Sequence, residues 1–328
     1  MISTPFSFVF SLILIVAGAE LFTNAVEWVG YIFKLGTGAT GSLLAALGTS
    51  LPETIVPIVA IAAHRPHSIA IATGAVLGSS FMLLSLGGLV TAIAVANRHS
   101  DPKLNVSPSQ SRRDLGVFVV ALTGSLIVIP FPYGVHIVWG CILLLGYAFY
   151  VRLTLLGGVP ADIMPEPLHL TFHRQRMPHW FFVILQLVIA VIFLVIGSNI
   201  FVTQITVLAR SLHINPLVLS LIVVPLATEL PETLNSVLWV KSGSDGLAFG
   251  NVAGSATFQG CVLGFVAVVF TPWHPPTVGI VVALFAIVTA LYMFLLLRNG
   301  SCRGKHLIAV GIPWILFVFF EIFSAVIH

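Results

Sequence analysis

Two short strings in this sequence carry carboxylates, hydroxyls and a proline in the same order. They are residues 49–54 (TSLPET) and residues 228–233 (TELPET). A proline inside a helix removes a backbone hydrogen bond and frees a carbonyl oxygen, beside the hydroxyl and carboxylate oxygens. Such oxygen ligands suit hard cations such as Ca²⁺ or Na⁺, and no soft ligands gather there that would favour zinc or copper. The strings therefore predict a cation site that includes Glu53 and Glu232.

The composition indicates that this site lies within a membrane. Of the 328 residues, 58% are apolar and only 8% are charged, whereas a soluble protein carries about 25% charged residues. The formal charge of +3 and the absence of a basic run do not favour nucleic acid as a partner. The three scattered cysteines form neither a disulfide framework nor a metal-ligand spacing. The expected partners are therefore metal cations and the lipid bilayer, with no cofactor, and the oligomeric state stays open.

Stretches of roughly 20 apolar residues, the length that crosses a bilayer, recur along the chain. They predict ten transmembrane helices, at residues 6–33, 40–63, 68–97, 115–131, 135–156, 180–209, 215–240, 246–271, 277–297 and 306–327. The connections after the odd-numbered spans hold 12 Lys and Arg residues, and the other connections hold only Arg65 and Arg210. By the positive-inside rule the 12 are cytoplasmic, so both termini are expected outside the cytoplasm, with the chain in the cell membrane.

The two halves of the chain repeat each other. Residues 18–54 align with residues 197–233 without a gap, and after a short deletion Gly74, Gly78 and Ser79 align with glycines and a serine of the second half, Gly250, Gly254 and Ser255. Each half has five predicted spans, so the second half enters the membrane from the opposite face. We therefore expect an all-α membrane protein of two inverted five-helix repeats, residues 1–156 and 180–328, joined by a cytoplasmic linker at 157–179. Transporters with inverted repeats bind their substrate between the repeats near the midplane.

Three glutamates, Glu53, Glu229 and Glu232, lie in the predicted membrane interior. A carboxylate at the bilayer centre costs about 2.5–3.5 kcal/mol, so three unpaired ones would cost about 8–10 kcal/mol. No Lys or Arg occurs at that depth in the predicted helices 2, 3, 7 or 8. Bound cations or protons are the remaining candidates to neutralise them. The alternative is that protonated glutamates bond to the backbone at the kinks.

The predicted helices 3 and 8 carry the small residues of the second repeated block. Small residues at this spacing let helices approach closely, so packing alone is one explanation of the glycines. Ser79 and Ser255 add hydroxyl oxygens if the helices are close. One turn further on lie Leu83 and Gln259, of which only Gln259 offers an oxygen.

The doubled LPET and GxxxGS blocks, in a ten-helix arrangement, resemble the cation/calcium exchanger superfamily, nearest its sodium/calcium exchanger branch. The resemblance covers nearly the whole chain. It implies that helices 2, 3, 7 and 8 form the ion-binding core and that helices 1 and 6 move against it. By position it implies ligands from both halves, namely Thr49, Ser50, Glu53, Ser79, Thr228, Glu229, Glu232 and Ser255.

The sequence departs from the family pattern in both halves. Leu83 and Gln259 stand where Asn or Asp is usual, Ala75 stands where Asn usually follows the helix 3 glycine, and Glu229 stands where Ser is usual. One half of the site has therefore lost oxygens and the other has gained a carboxylate, so we expect protons to take part in transport.

The predicted function is a secondary antiporter that exchanges Ca²⁺ for Na⁺, H⁺ or both. Exchange of Mg²⁺, Mn²⁺ or K⁺ is the second hypothesis. An intramembrane enzyme is a remote alternative, because no paired-Asp or HExxH constellation occurs, and a channel is another.

Outside the site, Glu20 and Glu27 share one face of helix 1 and line an access path or form interhelical hydrogen bonds. The linker histidines, among them His169, indicate a sensor or simply a solvated loop.

Overall fold

The computed structural model describes residues 4–32, 50–65, 67–99, 101–156, 166–171, 178–212 and 214–327. These residues are almost entirely helical. The helices are α1 (Thr4–Ile32), α2 (Leu51–Ala62), α3 (Ser68–Ala96), α4 (Pro108–Ile127), α5 (Tyr133–Leu156), α6 (Trp180–Leu212), α7 (Pro216–Lys241), α8 (Asp245–Phe270), α9 (Thr277–Leu297) and α10, which begins at Gly304–Leu307, tightens into a 3₁₀ turn at Ile308–Gly311 and continues over Ile312–Ile327.

Most of these helices are long and apolar enough to cross a membrane. Within the described ranges seven qualify, or eight if the two arms of the bent helix α7 form one span. The described part of α2 has 12 residues, and α4 begins before the predicted span and carries three charged residues, Arg112, Arg113 and Asp114, near its start. An all-helical membrane fold is thus confirmed, and the count of ten spans stays a prediction.

The LPET strings lie where helices begin or bend. The arms Pro216–Glu229 and Glu232–Lys241 of α7 meet at 46°, as expected for a helix with a proline between them. In the first half, Pro52 lies in the first turn of α2, just after Ser50, and Pro57 lies inside the same helix. Proline is tolerated in a first turn because that N–H has no helical partner.

Two π-helical segments interrupt the helices that carry the glycine blocks. They are Leu83–Gly87 in α3 and Gln259–Leu263 in α8, and each begins one turn after Ser79 or Ser255. Segments of this kind occur frequently at functional sites. Leu83 and Gln259, two of the positions that depart from the family pattern, are the first residues of these segments.

Close helix pairs hold this arrangement together. On α3, a Cβ added at Gly74 would lie 2.7 Å from the Leu217 oxygen, and one added at Gly78 would lie 2.5 Å from the Leu221 oxygen. The backbones of α3 and α7 are thus in direct contact, which accounts for the glycines of the first block. Helices α1 and α6 also pack along each other, with Gly18 against Leu194.

One feature outside the helices joins distant parts of the chain. Strand β1 (Lys103–Asn105) pairs antiparallel with β2 (Ser301–Arg303), which the expectation of a purely helical chain did not include. Beside it, Arg98 at the end of α3 forms a 2.6 Å ion pair with Asp245 at the start of α8. The ends of α3, α8 and α9 are thereby tied together.

Candidate functional site

Three carboxylates meet inside the helical bundle. Glu53 lies in the first turn of α2, and Glu229 and Glu232 lie on either side of the α7 bend. All three side chains are fully buried, and one oxygen from each lies within 4.8 Å of the others. The sequence placed these residues at similar depth, and the structure brings them into one cluster.

Hydroxyls from both halves reach this cluster. Ser50 Oγ donates to Glu232 Oε1 over 3.3 Å, and Ser255 Oγ donates to the same oxygen over 3.4 Å. Ser50 belongs to the first LPET string and Ser255 to the second glycine block. The Glu232 carboxylate of α7 therefore accepts hydrogen bonds from both halves of the chain, from Ser50 before α2 and from Ser255 of α8.

The polar residue of the second π segment pairs with the extra carboxylate. Gln259 Nε2 donates to Glu229 Oε1 over 2.7 Å, and Gln259 is almost fully buried. In α3 the corresponding position is Leu83, which is also buried and offers no oxygen. The two halves of the site thus differ at this position, where the second half has a hydrogen bond between Gln259 and Glu229 and the first half has an apolar side chain.

Several buried oxygens of the cluster accept no hydrogen bond from the described residues. They are both carboxylate oxygens of Glu53, Oε2 of Glu229 and Oε1 of Gln259. Thr228 lies beside Glu53, but its hydroxyl donates to the Val224 carbonyl over 3.1 Å. Buried polar atoms without partners are rare because they cost free energy. Oxygen atoms left in this way match the ligand preference of a hard cation.

Glu53 and Glu229 also lack a basic partner among the described residues. The ion pairs there join Arg98 to Asp245, Arg113 to Asp114 and His169 to Glu20, and none includes either of these two glutamates. A buried carboxylate without a paired charge is expensive. Protons or a bound cation are therefore the remaining means of neutralising these carboxylates.

Two other residues of the predicted site are less closely connected. Ser79 is fully buried on α3 and its hydroxyl has no hydrogen-bond partner in the described part of the chain. Thr49 lies outside the described residues, so its predicted role stays a prediction. On α8, the position of Gly254 faces the Tyr150 hydroxyl, 3.6 Å from an added Cβ.

Asn251 and Ser236, which were not predicted as site residues, donate hydrogen bonds to the backbone carbonyl of Glu232. Asn251 Nδ2 donates to the Glu232 carbonyl over 2.9 Å and to Ser236 Oγ over 3.0 Å, and Ser236 Oγ donates to the same carbonyl over 3.1 Å. The sequence feature that could have indicated Asn251 is its position directly after the motif glycine Gly250, where the first half has Ala75. These two residues fix the backbone that carries Glu232.

Comparisons with known proteins agree with this fold and motif pattern. The family model described as sodium/calcium exchanger protein matches residues 3–156 and 182–326. An uncharacterized membrane protein of Methanocaldococcus jannaschii is 27% identical over 289 residues, which cover 88% of each chain. The crystal structure of the H⁺/Ca²⁺ exchanger CAX superposes with a TM-score of 0.77 at 15% identity, covering 99% of this chain and 87% of CAX. The sodium-calcium exchanger NCX_Mj superposes with a TM-score of 0.62 at 22% identity, covering 97% of this chain and 98% of NCX_Mj.

Proposed function

Because the chain belongs to the sodium/calcium exchanger protein family, we propose that it is a secondary antiporter that exchanges Ca²⁺ for Na⁺, H⁺ or both by alternating access. The family and the fold are those of transporters and not of enzymes. The two solved neighbours are named for exchange of Ca²⁺ with H⁺ and of Ca²⁺ with Na⁺. H⁺ and Na⁺ are therefore both candidate counter-ions.

The observation that carries this proposal is the buried cluster of Glu53, Glu229 and Glu232, with oxygens within 4.8 Å of one another. Three like charges so close together in a medium of low dielectric constant repel one another strongly. A divalent cation bound between them removes most of that repulsion. The hydroxyls of Ser50 and Ser255 supply further oxygens at the same place.

The charge balance favours a proton or a monovalent cation as the counter-ion. Two carboxylates balance one Ca²⁺, and the third leaves one negative charge. Gln259 donates an N–H to Glu229 but brings no positive charge. We therefore propose that protons take part in the exchange, either as the counter-ion that replaces the charge of Ca²⁺ or by occupying Glu229 when Ca²⁺ leaves, and that Na⁺ is the alternative occupant.

The proposed architecture consists of ten spans in two inverted repeats, residues 1–156 and 180–328, with the linker at 157–179. Helices α2, α3, α7 and α8 then surround the ions, with Ser79, Thr49 and Thr228 as further ligands. The π segments support the repeat, because Leu83–Gly87 and Gln259–Leu263 correspond to each other in the same alignment as the glycine blocks. The distribution of Lys and Arg supports a cell-membrane orientation with both termini outside the cytoplasm.

A second candidate is exchange of another cation, such as Mg²⁺, Mn²⁺ or K⁺. The buried Leu83 favours this candidate, because an apolar residue occupies a place where an oxygen ligand is usual in the family. Mg²⁺ keeps several of its water ligands and binds through one or two carboxylates, so it needs fewer protein oxygens than Ca²⁺. Competition of each cation against ⁴⁵Ca²⁺ uptake separates the two candidates.

The test is ⁴⁵Ca²⁺ flux in proteoliposomes with either a Na⁺ gradient or a pH gradient imposed. We expect saturable flux driven by a pH gradient, and loss of flux in the Glu53→Gln and Glu232→Gln variants. Glu321→Gln is the matched control, because Glu321 lies on α10 away from the cluster. Flux that follows Na⁺ and ignores the pH gradient contradicts the proton assignment. Flux that is non-saturable and shows no counter-transport contradicts the antiporter itself.

A further inference from the structure

A short segment between the two halves lies against the helices that the family resemblance expects to move. Residues 166–171, here named the strap, contact α1 and α6. Leu168 of the strap is only 2% exposed and lies in an apolar cluster with Ala25, Trp28 and Val183. The strap is therefore anchored in the fold by a buried side chain.

The strap backbone is also held by polar side chains of α1. Asn24 Nδ2 and Trp28 Nε1 both donate to the Glu166 carbonyl, over 3.2 and 2.8 Å. Asn24 Oδ1 in turn accepts the His169 N–H over 3.2 Å. Asn24 and Trp28 are one helical turn apart, so they present a single face to the strap.

Helix α6 completes this socket through Gln186, which is fully buried. Gln186 Oε1 accepts the Leu170 N–H over 3.0 Å, and Gln186 Nε2 donates to Asn24 Oδ1 over 2.9 Å. Buried amides in apolar helices cost free energy unless they are paired. The Asn24 and Gln186 amides meet this requirement with the strap backbone and with each other, so they form a binding surface for the strap.

A different contact lies further along α6, in its second half. Arg65, just before α3, donates to the Asn199 carbonyl over 3.3 Å and also to Thr203 Oγ1. From Gln186 to Thr203 the helix rises about 25 Å at 1.5 Å per residue. The strap and the Arg65 contact therefore lie at separate levels along α6.

The internal repeat relates the two contacts. In the gapless alignment of residues 18–54 with 197–233, Glu20 of α1 corresponds to Asn199 of α6, and Asn24 corresponds to Thr203. Glu20 Oε1 lies 3.3 Å from His169 Nε2 of the strap. Equivalent positions of the two halves are thus occupied by different segments, the strap on α1 and Arg65 on α6.

In an inverted-repeat transporter alternating access moves one repeat against the other, and we take the opposite-facing state to exchange the conformations of the two halves. Arg65 lies in the connection between α2 and α3, and the repeat carries this connection onto residues 242–244, between α7 and α8. In the exchanged state the connection between α7 and α8 approaches α1 at Glu20 and Asn24. That surface is covered by the strap, so both segments compete for it.

We propose that the strap is a conformation-dependent brake, which binds the Asn24 and Gln186 socket in the state where Arg65 is bound to α6 and leaves it for the opposite-facing state. This inference rests on the proposed alternating-access function and adds a regulation of it by the chain's own linker. The two contacts stabilise the same state, so loss of one weakens the other by linkage.

The experiment measures the reactivity of a cysteine at Leu168 with a membrane-impermeant maleimide, on purified protein in detergent. The background carries alanine at the native cysteines, Cys141, Cys261 and Cys302. Leu168→Cys is buried while the strap is bound and reacts when the strap leaves. We expect slow labelling in this parent and labelling at least about fivefold faster with Asn24→Ala or Gln186→Ala, the lower end of typical coupling effects.

The decisive variant is Arg65→Ala, because the contact of Arg65 with Thr203 lies about 25 Å along α6 from Gln186. It is expected to accelerate labelling of Leu168→Cys at least about fivefold, whereas the control Arg210→Ala, in the last turn of α6, leaves the rate unchanged. Equal labelling rates in the parent and in both socket variants would contradict the proposal that Asn24 and Gln186 bind the strap. Acceleration by the socket variants but not by Arg65→Ala overturns the coupling to conformation. The labelling requires no ion transport, so a failure of the proposed Ca²⁺ exchange is detected separately by flux.

Discussion

Gln259 of α8 donates a 2.7 Å hydrogen bond to Glu229 of α7, and both side chains are buried. The pair lies beside Glu53 and Glu232 in one carboxylate cluster. Its counterpart in the first half has Leu83 and Ser50 at the corresponding positions. Each half therefore contributes one LPET glutamate, and the second half adds Glu229 with its amide partner Gln259.

Removal of the Gln259 side-chain amide tests the role of its hydrogen bond to Glu229. Gln259→Leu copies the first half and leaves Glu229 without its donor. A hydrogen bond to a charged group contributes about 1.5–3 kcal/mol, so we expect the KM for Ca²⁺ to change by about tenfold or more, with a changed dependence of flux on pH. Cys261→Ala, in the same π segment, is the control and should leave both unchanged. An unaltered pH profile in Gln259→Leu would contradict a special role for the pair.

Asn251 is expected to position Glu232 through its backbone. Asn251→Ala removes two hydrogen bonds, to the Glu232 carbonyl and to Ser236, each contributing about 0.5–1.5 kcal/mol. We expect a KM for Ca²⁺ raised about tenfold with kcat nearly unchanged. Ser236→Ala also removes one bond to this carbonyl and the bond from Asn251, so a similar rise in KM is expected. A fall in kcat alone, with KM unaltered, contradicts this positioning role.

The close contact between α3 and α7 makes Gly78 intolerant of a side chain. A Cβ there would lie 2.5 Å from the Leu221 oxygen and 2.8 Å from Pro225 Cγ, so Gly78→Ala must push the helices apart. Overpacking typically costs about 1–3 kcal/mol, and we expect a lower Tm in detergent. Gly146→Ala on α5 is the matched control, since nothing lies within 4 Å of its added Cβ. Equal Tm values for the two variants would show that this contact is looser than described.

The ion pair between Arg98 and Asp245 should stabilise the ends of α3 and α8. The Asp245 carboxylate, which is hydrogen-bonded to the guanidinium, raises the pKa of Arg98, and Asp245 also accepts the Asn105 N–H over 2.8 Å. Arg98→Ala leaves a buried carboxylate unpaired, and breaking such a pair costs about 3 kcal/mol. Thermal unfolding measures this loss.

The matched control for this variant is Arg112→Ala. Arg112 is exposed and only reaches the Arg298 carbonyl at 3.4 Å, so the change should be within about 0.5 kcal/mol. Adding Asp245→Asn to Arg98→Ala should recover part of the lost stability, because the unpaired charge is removed. No recovery would indicate that the charge of Asp245 does not cause the loss.

The sequence predicted the membrane fold and the meeting of Glu53 with Glu232, because carboxylates in apolar segments are costly and must share a partner. It also placed Ser50, Ser255 and Gln259 near them through the repeated motifs. It did not predict that Gln259 bonds to Glu229, or that Asn251 and Ser236 hold the Glu232 backbone. Such contacts depend on how helices rotate against each other, and a motif gives residue types without that rotation.

The strap was missed for a related reason. His169 suggested only a sensor or a solvated loop, because the residues that bind its backbone, Asn24 and Gln186, are single amides in long apolar helices. A lone amide in such a helix has no periodicity that indicates its partner. The two-stranded pairing of Lys103–Asn105 with Ser301–Arg303 was missed because short strands far apart in sequence carry little pattern.

The most direct test of the central claim is a crystal structure with Sr²⁺ soaked in place of Ca²⁺, with anomalous density used to locate the ion. The account predicts a strong peak between the carboxylates of Glu53, Glu229 and Glu232, which is lost in Glu53→Gln. A peak elsewhere in the membrane interior, with none between these carboxylates, would contradict it.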